Sequence, residues 1–194
     1  MTSAVSPETD ASLSAWAPLR LTAFRALWLA QLGSMVGTWM QTVGAQWLLL
    51  DEPNATTLVA LVQTMSMLPV LLLALPSGVI ADSFDRRRWL VLVQSCSFVV
   101  AATLAVLTAV DQPSPALLLA FTFLLGCGAA LVTPAWLAII PDLVPRSQLP
   151  AAAALGSISI NVARALGPAA AGVLISLAGV PIVFAFIALS YAVP

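Results

Sequence analysis

Six stretches of this 194-residue chain contain no Asp, Glu, Lys or Arg: 26–50, 53–81, 89–110, 112–141, 147–163 and 165–194. A helix rises ~1.5 Å per residue, so about 20 residues cross ~30 Å of hydrocarbon. Each stretch can hold one such crossing, the fifth by continuing past Arg164 to about Leu177. Roughly a quarter of the residues in a soluble domain are charged. Here 8% are charged, 61% are hydrophobic and the mean hydropathy is +1.04. A membrane barrel would instead need alternating strands of about ten residues, a pattern this sequence lacks. The chain is therefore expected to be an all-α polytopic membrane protein.

The expected helices cover about 24–50, 57–81, 89–110, 116–140, 151–177 and 180–194. Proline and glycine punctuate the connectors, where helices must stop and turn: Pro53, Pro113 with Pro115, Pro141 with Pro145, and Gly179 with Pro181. Residues 1–17 hold no apolar core and read as a disordered tail, not a cleavable signal peptide. The sixth run extends only about fifteen residues before Pro194, short of a full span, so a partial sequence is expected. Cys96 and Cys127 fall inside spans as small packing residues and imply no disulfide framework. The absence of histidine removes His-dependent catalytic triads and the commonest metal ligand. No cofactor or metal is expected.

The arginines are placed by side. Arg20 and Arg25 precede the first span, Arg86, Arg87 and Arg88 stand in the second connector, and Arg146 stands in the fourth. The first, third and fifth connectors have none. All six therefore fall on one side of a six-span bundle, which the positive-inside rule assigns to the cytoplasm. The expected location is the plasma (inner) membrane, multi-pass, with a cytoplasmic amino terminus.

The second connector, GVIADSFDRRR from Gly78 to Arg88, holds more than a topology marker. Gly78 and Asp82 are four apart and share a helix face. A carboxylate at a helix carboxyl end opposes the macrodipole, so Asp82 calls for an arginine or a second helix amino end nearby. Gly78 would permit that close approach. A solvated loop that only fixes topology is the plain alternative. The spacing resembles the loop signature of the major facilitator superfamily: Gly, three residues, Asp, three residues, then two basic residues. Gly78, Asp82, Arg86 and Arg87 match, and Asp85 stands where the family usually has glycine. The resemblance implies a conformational gate that stabilises one state of a carrier. Asp142, at the cytoplasmic end of the fourth helix, is the expected partner of Arg86 or Arg87.

In the fifth helix, ARALGPAAAG (163–172) resembles the antiporter signature of this superfamily's exporters. Gly167, Pro168 and Gly172 match, while Ala163 and Ala171 replace glycines. Such a proline bends the helix and the small residues let a neighbour pack at the bend; an ordinary proline kink is the alternative. Gly126, Gly128, Ala129 and Ala130 resemble the tail of a fourth-helix exporter signature whose arginine would fall at Thr122. Without that arginine, and with no carboxylate deep in any span, drug–proton antiport is weakened and the coupling ion, protons included, stays open.

Arg164 lies inside the fifth helix, where a central arginine costs about 2.5–3.5 kcal/mol on insertion scales. It is expected to face a wet cavity with Asn161, unless it snorkels to the interface. The first helix places Gln31, Ser34, Thr38 and Gln41 at three- and four-residue steps, beside a stripe of Gly33, Gly37 and Gly44. One stripe would line a path and the other pack on a neighbour, although interhelical hydrogen bonds alone would also account for the glutamines. The cavity candidates are Gln31, Thr38, Gln41, Asn161 and Arg164.

The resemblance covers nearly the whole chain, with residues 18–194 as the amino-terminal six-helix half of a major facilitator protein. It is most similar to the exporter branch that includes the bacterial enterobactin exporter. The family implies two inverted three-helix repeats, a missing carboxyl-terminal six-helix half, and secondary active transport by rocker-switch alternating access. Small-molecule efflux is the expected activity, with the lipid bilayer, a small-molecule substrate and the missing half as partners, and no nucleic acid. An intramembrane enzyme would need a nucleophile and base, or metal ligands, at membrane depth, and none is seen. A non-transporting membrane scaffold or assembly subunit is the remaining alternative.

Overall fold

The computed structural model describes residues 14–83 and 85–192, except the side chains at 74–83, 86, 87, 135, 136 and 192. Its helices are α1 (Thr22–Leu48), α2 (Ala55–Ser83), α3 (Arg86–Val110), α4 (Pro115–Leu143), α5 (Leu149–Ala178) and α6 (Val180–Ala192). Short 3-10 turns, Ala17–Arg20 and Arg146–Gln148, precede α1 and α5. No strand occurs among the described residues. Segments Ala55–Leu73, Arg88–Val110, Pro115–Leu143 and Arg146–Ala178 are long and apolar enough to cross a membrane, and Val180–Tyr191 is a shorter apolar helix. α1 has the length, 27 residues, but with three glutamines and several hydroxyl side chains it is less apolar than those four segments. The chain is an all-α, multi-pass membrane protein.

Local chemistry sets the helix ends. Ser114 caps α4, its hydroxyl accepting from the Leu117 amide at 3.4 Å with Pro115 just inside the start. Gly179 ends α5 at φ 80, the left-handed conformation glycine adopts without a Cβ penalty, and its amide bonds the Ile175 carbonyl at 2.9 Å. α4 runs on through Pro141, which reads in sequence as a stop, and ends at Leu143. A helix can carry an interior proline at the loss of a hydrogen bond, and the preference against a helical residue before proline is overridden at Ile140 and followed at Val144. Val144 is extended accordingly, at φ −125 and ψ 144.

The second connector is shorter than the eleven residues from Gly78 to Arg88 suggest. The α2 backbone stays helical to Ser83 and α3 starts at Arg86, so the three arginines occupy its first turn. Positive charge there opposes the macrodipole. Asp85 offsets it as the cap, accepting from the Arg88 amide at 2.9 Å. An aspartate thus performs the stop that the family pattern gives to glycine.

The most extensive helix pairings are α2 with α4, α1 with α5 and α3 with α6, followed by α1 with α6 and α3 with α4. Exchanging α1, α2, α3 for α4, α5, α6 leaves this set unchanged, as two inverted three-helix repeats require. Directions follow from individual contacts. Trp28 bonds the Leu155 carbonyl and Trp39 meets Gly167, so α1 and α5 run parallel. Gly37 meets Ser190 and Gly44 meets Phe184, so α6 runs antiparallel to α1. Gly128 meets Ser97 and Trp89 bonds the Leu131 carbonyl, so α3 and α4 are antiparallel. The starts of α1, α3 and α5, with all six flanking arginines, therefore share one end of the bundle.

The interior divides in two. A large core of Met40, Leu49, Val62, Leu104, Leu118, Phe184 and their neighbours fills the end away from the arginines. A smaller cluster of Phe24, Val144, Ala152 and Leu155 closes the arginine end between α1, α4 and α5. Apolar burial drives little association among helices in lipid, so close backbone packing at small residues carries much of the cohesion. A Cβ at Gly126 would stand 2.9 Å from Pro69 and 3.0 Å from the Ser66 carbonyl oxygen, and one at Gly167 would overlap Trp39.

Candidate functional site

Between the two cores lies a recess of about 210 Å³. α1 contributes Gln31, Ser34, Met35, Thr38 and Trp39, and α4 contributes Gly128, Ala129, Val132 and Thr133. Gln94 of α3, Ile160 of α5 and Tyr191 of α6 complete it. The recess is where the glycine and alanine run of α4 faces the polar side of α1, since small side chains leave the volume open. Thr38 donates to the Ser34 carbonyl at 3.0 Å and Thr133 to the Ala129 carbonyl at 2.8 Å, so both hydroxyls are tied to their own helices. The buried Tyr191 side chain interacts with Thr38. The lining joins amide, hydroxyl and aromatic groups to the apolar side chains of Met35, Val132 and Ile160, without a formal charge.

The α1 residues expected to act together separate into two groups. Gln31 and Thr38 line the recess. Gln41 does not: it is only 4% exposed and sits between Gly37 and Gly44, whose backbones pack on α6. Spacing puts Gln41 in register with Thr38, but it is one turn further up the helix, where α6 closes over that face. Gly33, grouped in sequence with Gly37 and Gly44, has no atom within 4 Å of where its Cβ would be. It is not a packing contact.

Asn161 and Arg164 are exposed on α5 and stand outside the recess lining. Asn161 donates to the Ser157 carbonyl at 3.0 Å. The Arg164 guanidinium lies over the Trp39 indole, 5.6 Å from the ring centroid, a cation–π contact of about 0.5–2 kcal/mol depending on desolvation. Trp39 thus borders both the recess and the arginine. In the helix-five element, Gly167 is buried against Trp39, Val36 and Met40 of α1, whereas Gly172 is exposed, with nothing within 4 Å of where a methyl would stand. Pro168 lies within an unbroken α5.

Of the gate residues, the side chains of Gly78, Asp82, Arg86 and Arg87 lie outside the described residues. Asp142 is exposed in the last turn of α4, at the end that carries the arginines. Thr122, at the position of the exporter signature's arginine, is 1% exposed and donates to the Leu118 carbonyl at 2.9 Å inside the dry core. Sequence reasoning missed Gln94, Thr133 and Tyr191. Gln94 was legible as the one side-chain amide of α3; Tyr191 became visible only when α6 was folded against α1.

Comparison with known proteins agrees with this architecture. The sequence profile of the transmembrane secretion effector family matches residues 13–194. The chain is 33% identical to the staphyloferrin A transporter of Staphylococcus aureus over 157 residues, 80% of this chain and 40% of that protein. It is 24% identical to macrolide efflux protein A of Streptococcus pyogenes over 79% of this chain and 38% of that protein. An uncharacterised major-facilitator-type transporter of Bacillus subtilis is 27% identical, over 78% of this chain and 35% of its own length. The chain thus spans about 40% or less of the length of these curated relatives. No solved structure matches it significantly. With the profile covering nearly every residue, the chain belongs to the transmembrane secretion effector family of the major facilitator superfamily.

Proposed function

We propose that these helices form the amino-terminal half of a secondary active exporter that moves a small molecule across the plasma membrane by rocker-switch alternating access. The observation that carries the reading is the uncharged, partly polar recess between α1 and α4, set within a bundle of two inverted repeats. Transporters of this architecture place substrate near the midplane between their halves. The relatives' names, a staphyloferrin A transporter and a macrolide efflux protein, support transport of small molecules, and the second supports outward movement. The arginines at one end support a cytoplasmic amino terminus. Gly78, Asp82, Arg86 and Arg87 would act as the gate with Asp142, and Gly167, Pro168 and Gly172 as the helix-five bend. Gln31, Thr38, Asn161 and Arg164 would line the path, while Gln41, which is buried, would instead pack on α6.

The test uses inverted vesicles from cells producing the full-length protein. Radiolabelled erythromycin, a macrolide, and radiolabelled 1-naphthaleneacetate are offered with and without an imposed proton gradient. Accumulation of either above vesicles lacking the protein supports the exporter reading, and its gradient dependence reports coupling. Equal uptake with and without the protein for both probes favours the scaffold alternative.

A further inference from the structure

We infer that Trp39 and Arg164 form a receptor for a carboxylate, so that the substrates of the exporter proposed above carry one; the inference rests on that reading. Arg164 stands at the midpoint of the 30-residue α5. Among the described residues it is the one basic residue away from the bundle's arginine end, and Asp51, Glu52, Asp82, Asp85, Asp111 and Asp142 stand in connectors or at helix ends. Its charge therefore has no counter-carboxylate at its own depth among the described residues. The Trp39 ring lies against it instead, at 5.6 Å.

That geometry leaves the guanidinium prepared for an anion. A cation–π contact at 5.6 Å draws the guanidinium toward the ring and restrains its position. It takes none of the in-plane N–H donors, and those are the donors that bind a carboxylate in bidentate fashion. Arg164 is exposed, so the edge is reachable.

The surroundings fit one charged head on a larger polar or aromatic body. Contacts Trp28–Leu155 and Trp39–Gly167 set α1 and α5 in parallel register. Ser157, Asn161 and Arg164 on α5 therefore stand at the same depth as Gln31, Ser34 and Thr38 on α1. Ser157, Asn161 and Arg164 are all exposed, and Gln31, Ser34 and Thr38 line the recess. Trp39 stands between the two rows. A carboxylate seated on Arg164 would place its attached body across Trp39 and into the recess, where amide and hydroxyl groups bind without demanding charge.

The probes are 1-naphthaleneacetate and 1-naphthaleneacetamide, equal in shape and different by one charge. Binding to purified full-length protein in detergent at neutral pH is followed by fluorescence titration. We expect the carboxylate to bind about tenfold or more tightly than the amide, the scale of one charge-assisted pair. Arg164→Gln is expected to remove that preference, and Arg164→Lys to retain part of it. Equal affinity of the wild type for both probes overturns the inference, as does absence of carboxylate binding. So does a preference that survives Arg164→Gln, which would place the anion elsewhere or pair Arg164 with an acid beyond this chain. Binding is read without flux, so failure here leaves vesicle transport as an independent test of the exporter reading.

Discussion

Gly167→Ala adds one methyl group where α1 and α5 touch backbone to backbone. Placed on the existing backbone, that methyl overlaps the Trp39 Cβ and lies 3.1 Å from the Val36 carbonyl oxygen and 3.5 Å from the Met40 amide nitrogen. None of these atoms can rotate away, because each belongs to the α1 backbone or is bonded directly to it. Ordinary carbon contacts fall at ~3.5–4.0 Å, so the two helices must part by about 1 Å at this height. A gap of that size forfeits about a quarter to a half of each affected dispersion contact, and overpacking of this kind costs about 1–3 kcal/mol. Gly172→Ala is the matched control on the same helix, since nothing lies within 4 Å of its added methyl. It is expected to change stability by less than ~0.5 kcal/mol. Both variants of the full-length protein are compared with wild type by reversible SDS unfolding in mixed micelles. A Gly167→Ala protein as stable as wild type, or equal losses for the two variants, would refute the claim that backbone contact at this point holds α1 to α5.

Gly128→Ala tests the contrary case, because its methyl meets the Ser97 hydroxyl oxygen, the free end of a side chain. A modest loss is expected, and Ser97→Ala in the same protein should restore wild-type stability in the same unfolding assay. Asp85→Ala removes the α3 cap and its 2.9 Å bond to the Arg88 amide, with an expected loss of ~0.5–2 kcal/mol. Asp85→Asn keeps an acceptor and should lose less; equal losses would argue against capping. For the proposed gate, Arg86→Asp and Asp142→Arg should each reduce vesicle transport and the double variant should recover it. No recovery would reject that pairing.

The helices were legible because charge and apolar length are written in one dimension. A 25-residue run without an ionisable group has little choice but to cross the membrane as a helix. Ends were less legible where two signals compete. Pro141 and Pro145 look alike in sequence, and each disfavours a helical residue before it, yet Ile140 stays helical and only Val144 turns extended. The candidate site was half legible. Gln31 and Thr38 were identified by being polar in an apolar run, but the same rule also selected Gln41, which α6 covers. Which polar residue on a helix meets water and which meets a neighbour depends on the partner at each height. That is a property of the assembled bundle. The Arg164–Trp39 contact shows the same limit, since it joins residues 125 positions apart through the α1–α5 register.

The inverted repeat was likewise hidden in the sequence and plain in the packing. α2 and α5 are the second helices of their repeats, and each carries an interior proline, Pro69 and Pro168. Each lies against the first helix of the other repeat, and each pairing has one glycine at the point of closest approach. In the α5–α1 pair the glycine is Gly167, on the proline helix itself; in the α2–α4 pair it is Gly126, on the opposing helix. Symmetry therefore preserves the contact while moving the small residue from one partner to the other, which leaves no repeated motif to read. Close backbone contact does not slide easily, because any shift brings a Cβ into the space a glycine left. Two such contacts, in symmetry-related pairs, resist relative motion of the two repeats. Under the rocker-switch reading, this six-helix unit moves as one body, and the change of access takes place at its exposed α1–α5 face, where Trp39 and Arg164 stand.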